Sequence, residues 1–234
     1  MSTATEHLSA SRKPEAVSEM FGAIAHRYDL ANHLLSCGRD FYWRRRAVEI
    51  VAGWRPNRLV DLATGTGDLA LLLQKKLQAE VVGVDFSPQM LAIAKAKGLR
   101  NAILADLTAL PFSEQSFDGV TIAFGLRNVQ NWVAALREMA RILRNGGHVL
   151  VLEFSLPRSS VLRPAYRFYL HRCLPLIGSL LTKKKNAYDY LGESIEQFPN
   201  GQAMLRLMEE NGFANAQAVT LTGGIVTIYT AEKV

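Results

Sequence analysis

The chain has 234 residues, 49% of them apolar and 21% charged, with a net charge of +6; that is room for one domain with a full core. No apolar run approaches the roughly 20 residues of a membrane span, and "CLPLIGSLL" (173–181) is short and broken by Pro175. Two distant cysteines, Cys37 and Cys173, exclude a disulfide framework or a cysteine-based metal site, and suit a reducing cytoplasm.

In chain order, residues 1–14 are polar, carry no apolar signal region, and read as a disordered lead-in. Residues 15–56 read as a helical cap. From about residue 57 the pattern alternates between strand and helix. "RLVDLA" (58–63) is a buried-type strand and "DLALLLQKKL" (68–77) a helix; "AEVVGVDF" (79–86) is the next strand. "SPQMLAIAKAK" (87–97) opens a helix with Ser87 as N-cap and Pro88 at the first helical position. "NAILADL" (101–107) and "FDGVTIAF" (117–124) are strands, and 132–144 is an amphipathic helix halted by Asn145-Gly146-Gly147. A fifth strand (148–155), a last helix (201–213) and the strands "AQAVTL" and "IVTIYTAEK" complete the pattern. Such alternation predicts an α/β fold, a doubly wound, mostly parallel seven-stranded sheet of Rossmann-like type. The segment 156–200 stands as a helical insertion before the last helix and strands. From Arg158 to Lys185 there are seven Lys or Arg and no Asp or Glu, enough to account for the whole charge excess.

Gly65-Thr66-Gly67-Asp68-Leu69-Ala70 fits the loose glycine pattern of nucleotide-binding folds, a weak signal alone. Three aspartates sharpen it. Asp61 ends the first strand, Asp85 ends the second where a carboxylate can accept both ribose hydroxyls, and Asp106 ends the third where an adenine edge would lie. Three carboxylates on adjacent strand ends repel a pyrophosphate and suit a ligand with a cationic centre. S-adenosylmethionine fits better than NAD: its sulfonium is positive, and the helix after Gly67 offers N–H groups to its carboxylate.

"VDLATGTGD", "VGVDFSPQML", "LADLTALPF", "FDGVTIAFGLRNV" and "LRNGGHVLVLEFS" resemble successive motifs of class I methyltransferases. Their wording is similar to that of the family that C-methylates quinones in menaquinone and ubiquinone biosynthesis. "FGAIAHRYDLANHLLSCGRDFYWRR" (21–45) resembles that family's N-terminal signature and "YDYLGESIEQFP" (188–199) its late one, so the likeness runs from about Met20 onward. Five positions depart from the family wording: Ala31 for a methionine, Asp40 for a histidine, Arg144-Asn145 for Lys-Pro, and Ala123 for a cofactor-binding serine. The resemblance implies cofactor contacts at Thr66, Asp85 and the Asp106-Leu107 pair; the loop reading adds Asp61, Gly65 and Gly67.

It also implies methyl transfer from S-adenosylmethionine to a ring carbon of demethylmenaquinol, the last step of menaquinone biosynthesis, with no metal. Such a carbon becomes nucleophilic when a neighbouring hydroxyl loses its proton. Arg127 is placed to stabilise the quinolate oxygen and Asn128 to orient a hydroxyl or water, with Asp29 as a candidate base. Tyr28 and Asn32 in the cap, and Tyr188 and Tyr190 in the late signature, are candidate substrate contacts; Glu153, Glu193 and the histidines His26, His33, His148 and His171 are weaker ones. A polyprenyl quinol resides in a bilayer, so the basic, aromatic 163–185 segment reads as a surface for an anionic membrane, or as a homodimer contact. The expected location is cytoplasmic, peripheral on the inner face of the membrane. The alternative acceptor is 2-methoxy-6-polyprenyl-1,4-benzoquinol of ubiquinone biosynthesis. A basic nucleic-acid-binding protein is disfavoured because the aromatics of the basic segment lie among long aliphatics. A non-catalytic cofactor-binding scaffold is disfavoured by the intact loop and aspartates.

Overall fold

The computed structural model describes residues 33, 36–174 and 185–234, with only the main chain of 185–189. The lead-in, the first part of the cap and its candidates Tyr28, Asp29 and Asn32 lie outside the described residues. So do 175–184 of the basic segment and the side chain of Tyr188.

Seven strands form one sheet in the order β3-β2-β1-β4-β5-β7-β6. They are β1 (Arg58–Leu62), β2 (Glu80–Asp85), β3 (Asn101–Leu104), β4 (Phe117–Ala123), β5 (Leu143–Phe154), β6 (Phe213–Leu221) and β7 (Val226–Lys233). The first five run parallel, while β7 lies antiparallel to both β5 and β6. The chain leaves β1 toward β2 and β3 on one side and returns to β4 and β5 on the other. A crevice therefore opens beyond the carboxyl ends of β1 and β4, where ligands of such sheets bind.

The helices are α1 (Arg39–Trp54), α2 (Asp68–Lys76), α3 (Pro88–Ala96), α4 (Trp132–Ile142), α5 (Leu162–Phe168), α6 (Lys185–Gln197) and α7 (Gln202–Glu209). Strand alternation divides the core. Val60, Leu62, Val120 and Ile122 face one layer with Leu136 and Met139 of α4 and Met204 and Met208 of α7. Leu59, Val81, Leu150 and Leu152 face the other, with Trp43, Ala47 and Val51 of α1 and Leu69 and Leu73 of α2. Each fully buried Leu, Ile or Met contributes about 1.5–3 kcal/mol, which is why alternate positions of β1 are apolar on both faces. Asp61 shares the α1 face of β1 with Leu59, and this places its carboxylate under the cap helix.

Ser87 caps α3 as the sequence predicts, its Oγ accepting from Met90 N, with Pro88 at the first position. Several boundaries differ from those expected from the sequence. Helix α4 ends at Ile142, because Leu143 is extended and pairs with Phe117. The ladder resumes only at Gly119 with His148, so Asn145-Gly146-Gly147 is an excursion within β5 rather than the helix stop. A Cβ on Gly147 would stand 2.8 Å from Arg144 O, and Arg144 itself reaches Asp118 Oδ1 at 2.5 Å. The third strand ends at Leu104, and α7 ends at Glu209, where Gly212 (φ +95°) releases the chain into β6.

Candidate functional site

A cavity of about 330 Å³ opens at the crevice. One wall comes from the turn after β1, the end of β2 and the turn after β3: Gly65, Asp85, Ser87, Met90, Asp106 and Leu107. The other comes from the end of β4 and the loop into α4, from Ala123 through Asn128 to Asn131. Among the described residues no lysine, arginine or histidine lines it, while two carboxylates do. A phosphate has no cation to meet here; a cationic ligand has two acceptors.

Asp85 is the best-held of these. Its Oδ2 accepts from Gly65 N at 2.8 Å and its Oδ1 from Ser87 N at 2.9 Å. Burial raises its pKa, opposed by those hydrogen bonds from Ser87, Gly65 and Phe86. Each oxygen keeps a further lone pair for a ligand hydroxyl. Asp106 stands at the rim, its Oδ1 accepting from Thr108 N and Oγ1 at 2.7 Å, and Leu107 is buried beside it.

The structure sets Asp61, Thr66 and Gly67 off the cavity wall. Asp61 supports the loop from below: Thr64 Oγ1 donates to its Oδ2 and Thr121 Oγ1 to its Oδ1, both at 2.7 Å. Burial pushes its carboxyl up to about 6 despite these bonds. Gly67 adopts φ +85° as the N-cap of α2, with no side chain capping the helix, so the first-turn N–H groups face the loop. A Cβ on Gly67 would meet Ala94 Cβ at 3.1 Å, so the glycine also sets how closely α2 and α3 approach.

Between the two walls the ends of β1 and β4 run side by side and nearly touch. Ala63 (φ +47°) and Phe124 (φ +57°) both hold left-handed conformations, and a Cβ on Gly125 would lie 2.4 Å from Ala63 Cβ. Strain of this kind, about 1–3 kcal/mol per residue, collects where a site dictates the backbone. Phe124 packs on Phe154 at 4.6 Å between ring centroids and on Trp43 of α1 at 6.0 Å, which joins the cap helix to the cavity wall.

Arg127 and Asn128 are neighbours on a turn, yet they point differently. Arg127 is buried behind the wall, with Nη1 2.7 Å from Glu153 Oε1 and its guanidinium over the Phe154 ring. Asn128 lines the cavity; its Nδ2 donates to Phe124 O at 3.4 Å, and its Oδ1 is buried with no hydrogen-bond partner among the described residues. Tyr190 is buried on α6, the helix that packs against this turn.

Asp40, where the family wording has a histidine, is a buried junction of the cap. Burial would raise its pKa, but the Ser36 hydroxyl, Arg44 and His33 outweigh that and hold it below the usual carboxylate range. Arg44 continues to Asp68 at 3.3 Å, and Lys97 reaches Asp68 at 2.9 Å, so α1, α2 and the end of α3 are joined through charge. The sequence reading missed Phe124, Gln130 and Asn131 as wall residues. Asn131 had a legible signal, since it caps α4 by accepting from Ala134 N at 3.0 Å.

A family model described as the ubiE/COQ5 methyltransferase family matches residues 9–233. The demethylmenaquinone methyltransferase of Thermus thermophilus is 47% identical over 220 residues, covering 92% of this chain and 100% of that protein. The ubiquinone/menaquinone biosynthesis C-methyltransferase UbiE of Geotalea uraniireducens is 42% identical over 232 residues, covering 95% and 98%. Among solved structures, a SAM-dependent methyltransferase of Thermotoga maritima superposes with a TM-score of 0.68 at 20% identity, covering 92% of this chain and 99% of that one. That likeness speaks for the fold alone. With a family model spanning nearly its whole length and relatives above 40% identity, the chain belongs to the ubiE/COQ5 methyltransferase family.

Proposed function

We propose that this chain is an S-adenosylmethionine-dependent C-methyltransferase that converts demethylmenaquinol to menaquinol. The observation that carries it is the charge of the cavity: carboxylates at the strand ends and no cationic side chain among the described residues of the walls. A sulfonium donor fits that lining, and a dinucleotide does not. The bound donor supplies an electrophilic methyl group. Asp85 accepts from its ribose hydroxyls, Asp106 and Leu107 border its adenine, and the Gly65 turn before α2 receives its carboxylate.

On the acceptor side, Asn128 orients a hydroxyl, while Arg127, neutralised by its ion pair with the buried Glu153, holds the turn behind the wall rather than acting as the free cation expected from the sequence. The nucleophilic ring carbon takes the methyl group, the sulfur–carbon bond breaks, and the ring proton leaves to restore aromaticity. Holding both partners in line contributes about 7–11 kcal/mol of barrier lowering. Asp29 is proposed as the base and Tyr28, Asn32, Tyr188 and Tyr190 as acceptor contacts, on the family likeness of the segments that carry them.

The relatives' names support the naphthoquinol reading and leave a second, since one is named for ubiquinone as well as menaquinone biosynthesis. Purified protein with a methyl-labelled donor and each demethylated quinol tests both. Label on the naphthoquinol supports the proposal. Label on the benzoquinol alone replaces the acceptor, and label on neither ends it.

We also propose that the chain works at the inner face of the cytoplasmic membrane. Val161, Leu162 and Phe168 of the α5 region are 75%, 50% and 64% exposed beside Arg158, Arg163 and Arg172. A basic, partly apolar surface of this kind suits an anionic bilayer.

A further inference from the structure

Glu153 is fully buried at the end of β5. A carboxylate so placed loses several kcal/mol of hydration, and an apolar residue would fill the space without that cost. Its contacts show where it acts. Oε1 accepts from Arg127 Nη1 at 2.7 Å and from Phe154 N at 2.9 Å, and Oε2 accepts from the main-chain N of Arg127 at 3.3 Å. Glu153 therefore grips Arg127 by side chain and backbone together, and so pins the Leu126–Asn128 turn to β5.

The grip passes on to Asn128. Arg127 Nη1 also donates to Phe124 O at 2.5 Å, the carbonyl that receives Asn128 Nδ2 at 3.4 Å. With the amide nitrogen committed to that carbonyl, Asn128 Oδ1 is left as a buried acceptor without a donor among the described residues, on a side chain that borders the cavity. An acceptor in that state costs about 1–3 kcal/mol unless a ligand supplies the donor. A phenolic hydroxyl supplies one.

We propose that Glu153 is the positioning residue of the acceptor side: through Arg127 and the Phe124 carbonyl it fixes Asn128 Oδ1 where it meets a hydroxyl of the aromatic acceptor. The inference rests on the quinol reading given above. The amide takes no proton. It sets the direction of the O–H bond, and so the rotation of the ring and which ring carbon faces the methyl group. Loosening the grip should harm the chemical step more than binding.

The test compares Glu153→Gln, Glu153→Asp, Asn128→Ala and the double variant Glu153→Gln with Asn128→Ala. Turnover and KM are measured on demethylmenaquinol, and donor Kd is measured by calorimetry on the same samples. A reacting group misplaced by about 1 Å costs about 10²-fold in rate, so kcat of both Glu153 variants should fall on that order with donor Kd nearly unchanged. The double variant should be no slower than the slower single, because both act on one contact. Should the Gln variant not fold, the Asp variant, which keeps the charge and draws it back by one methylene, decides by its kcat alone. Unchanged kcat per donor-binding site, or losses that multiply in the double variant, overturns the role of Glu153 and leaves the quinol reading standing. A wild-type protein that methylates neither quinol removes both.

Discussion

Asp61 and Asp85 both end buried strands, and their surroundings divide the work between them. Asp85 meets two backbone N–H groups and keeps lone pairs toward the cavity; Asp61 meets two threonine hydroxyls and faces the underside of the loop. In Asp85→Asn the amide turns an N–H toward a backbone N–H, and the ribose loses a charged acceptor. Hydrogen bonds to charged groups contribute about 1.5–3 kcal/mol each, so donor Kd should rise at least about tenfold by calorimetry; an unchanged Kd removes Asp85 from the binding site. Asp61 gives a pH signature instead. Its folded-state carboxyl lies at about 6 against an ordinary 3.8, so the folded protein holds this proton more tightly than the unfolded chain does. The stabilising contribution is full below pH 3.8, is lost between there and about 6, and is absent above. That shift corresponds to about 3 kcal/mol. Denaturant unfolding of wild type and Asp61→Asn from pH 4 to 7 should show wild type losing stability relative to the variant over that window. A difference that is flat with pH would mean that Asp61 folds ionised.

At the scale of elements, the site depends on two strand ends brought unusually close. Gly125 follows β4 at φ −113°, a conformation open to any residue, so the need for glycine here is one of contact rather than backbone freedom. In Gly125→Ala the new methyl would overlap Ala63 and push the loop after β1 away from the turn that carries Asn128. Overpacking of this kind costs about 1–3 kcal/mol. Thermal unfolding should fall accordingly, and turnover should fall further than stability; equal stability and turnover would show that the two strand ends have room to part. The first wall of the cavity was legible in the sequence because it is local: a buried strand, a glycine turn, Asp85 twenty residues on, and Ser87-Pro88 opening a helix all lie along the chain. The second wall was legible only as the words Phe124 to Asn128. That Arg127 turns away to Glu153 while Asn128 faces inward depends on a contact 26 residues distant, which no local pattern carries. The same holds for Asn145-Gly146-Gly147, read as a helix stop because glycine after an amphipathic helix usually is one. Pairing of Leu143 with Phe117 overrode that preference.

At the scale of the molecule, the charge excess is concentrated. Arg167 of the basic segment spends its charge on Glu196 at 2.6 Å, whereas Arg158, Arg163 and Arg172 form no ion pair among the described residues. These three cations flank Val161, Leu162 and Phe168 on the surface. Each basic residue near an anionic surface contributes about 1 kcal/mol, and the attraction weakens as the Debye length falls from about 10 Å at 0.1 M salt to about 3 Å at 1 M. The protein should therefore sediment with vesicles containing anionic lipid at low salt and separate from them at high salt. Reversing one charge removes an attraction and adds a repulsion, so Arg163→Glu should weaken vesicle binding by roughly 2 kcal/mol, about thirtyfold. Phe168→Ser should weaken it with less dependence on salt, since the lost interaction is burial. Both variants lie outside the cavity and should keep wild-type turnover on a short-chain quinol that needs no bilayer. Equal sedimentation with and without vesicles removes the membrane as the occupant of this face. If light scattering instead shows a dimer that Phe168→Ser dissolves, the occupant is a second copy of the chain.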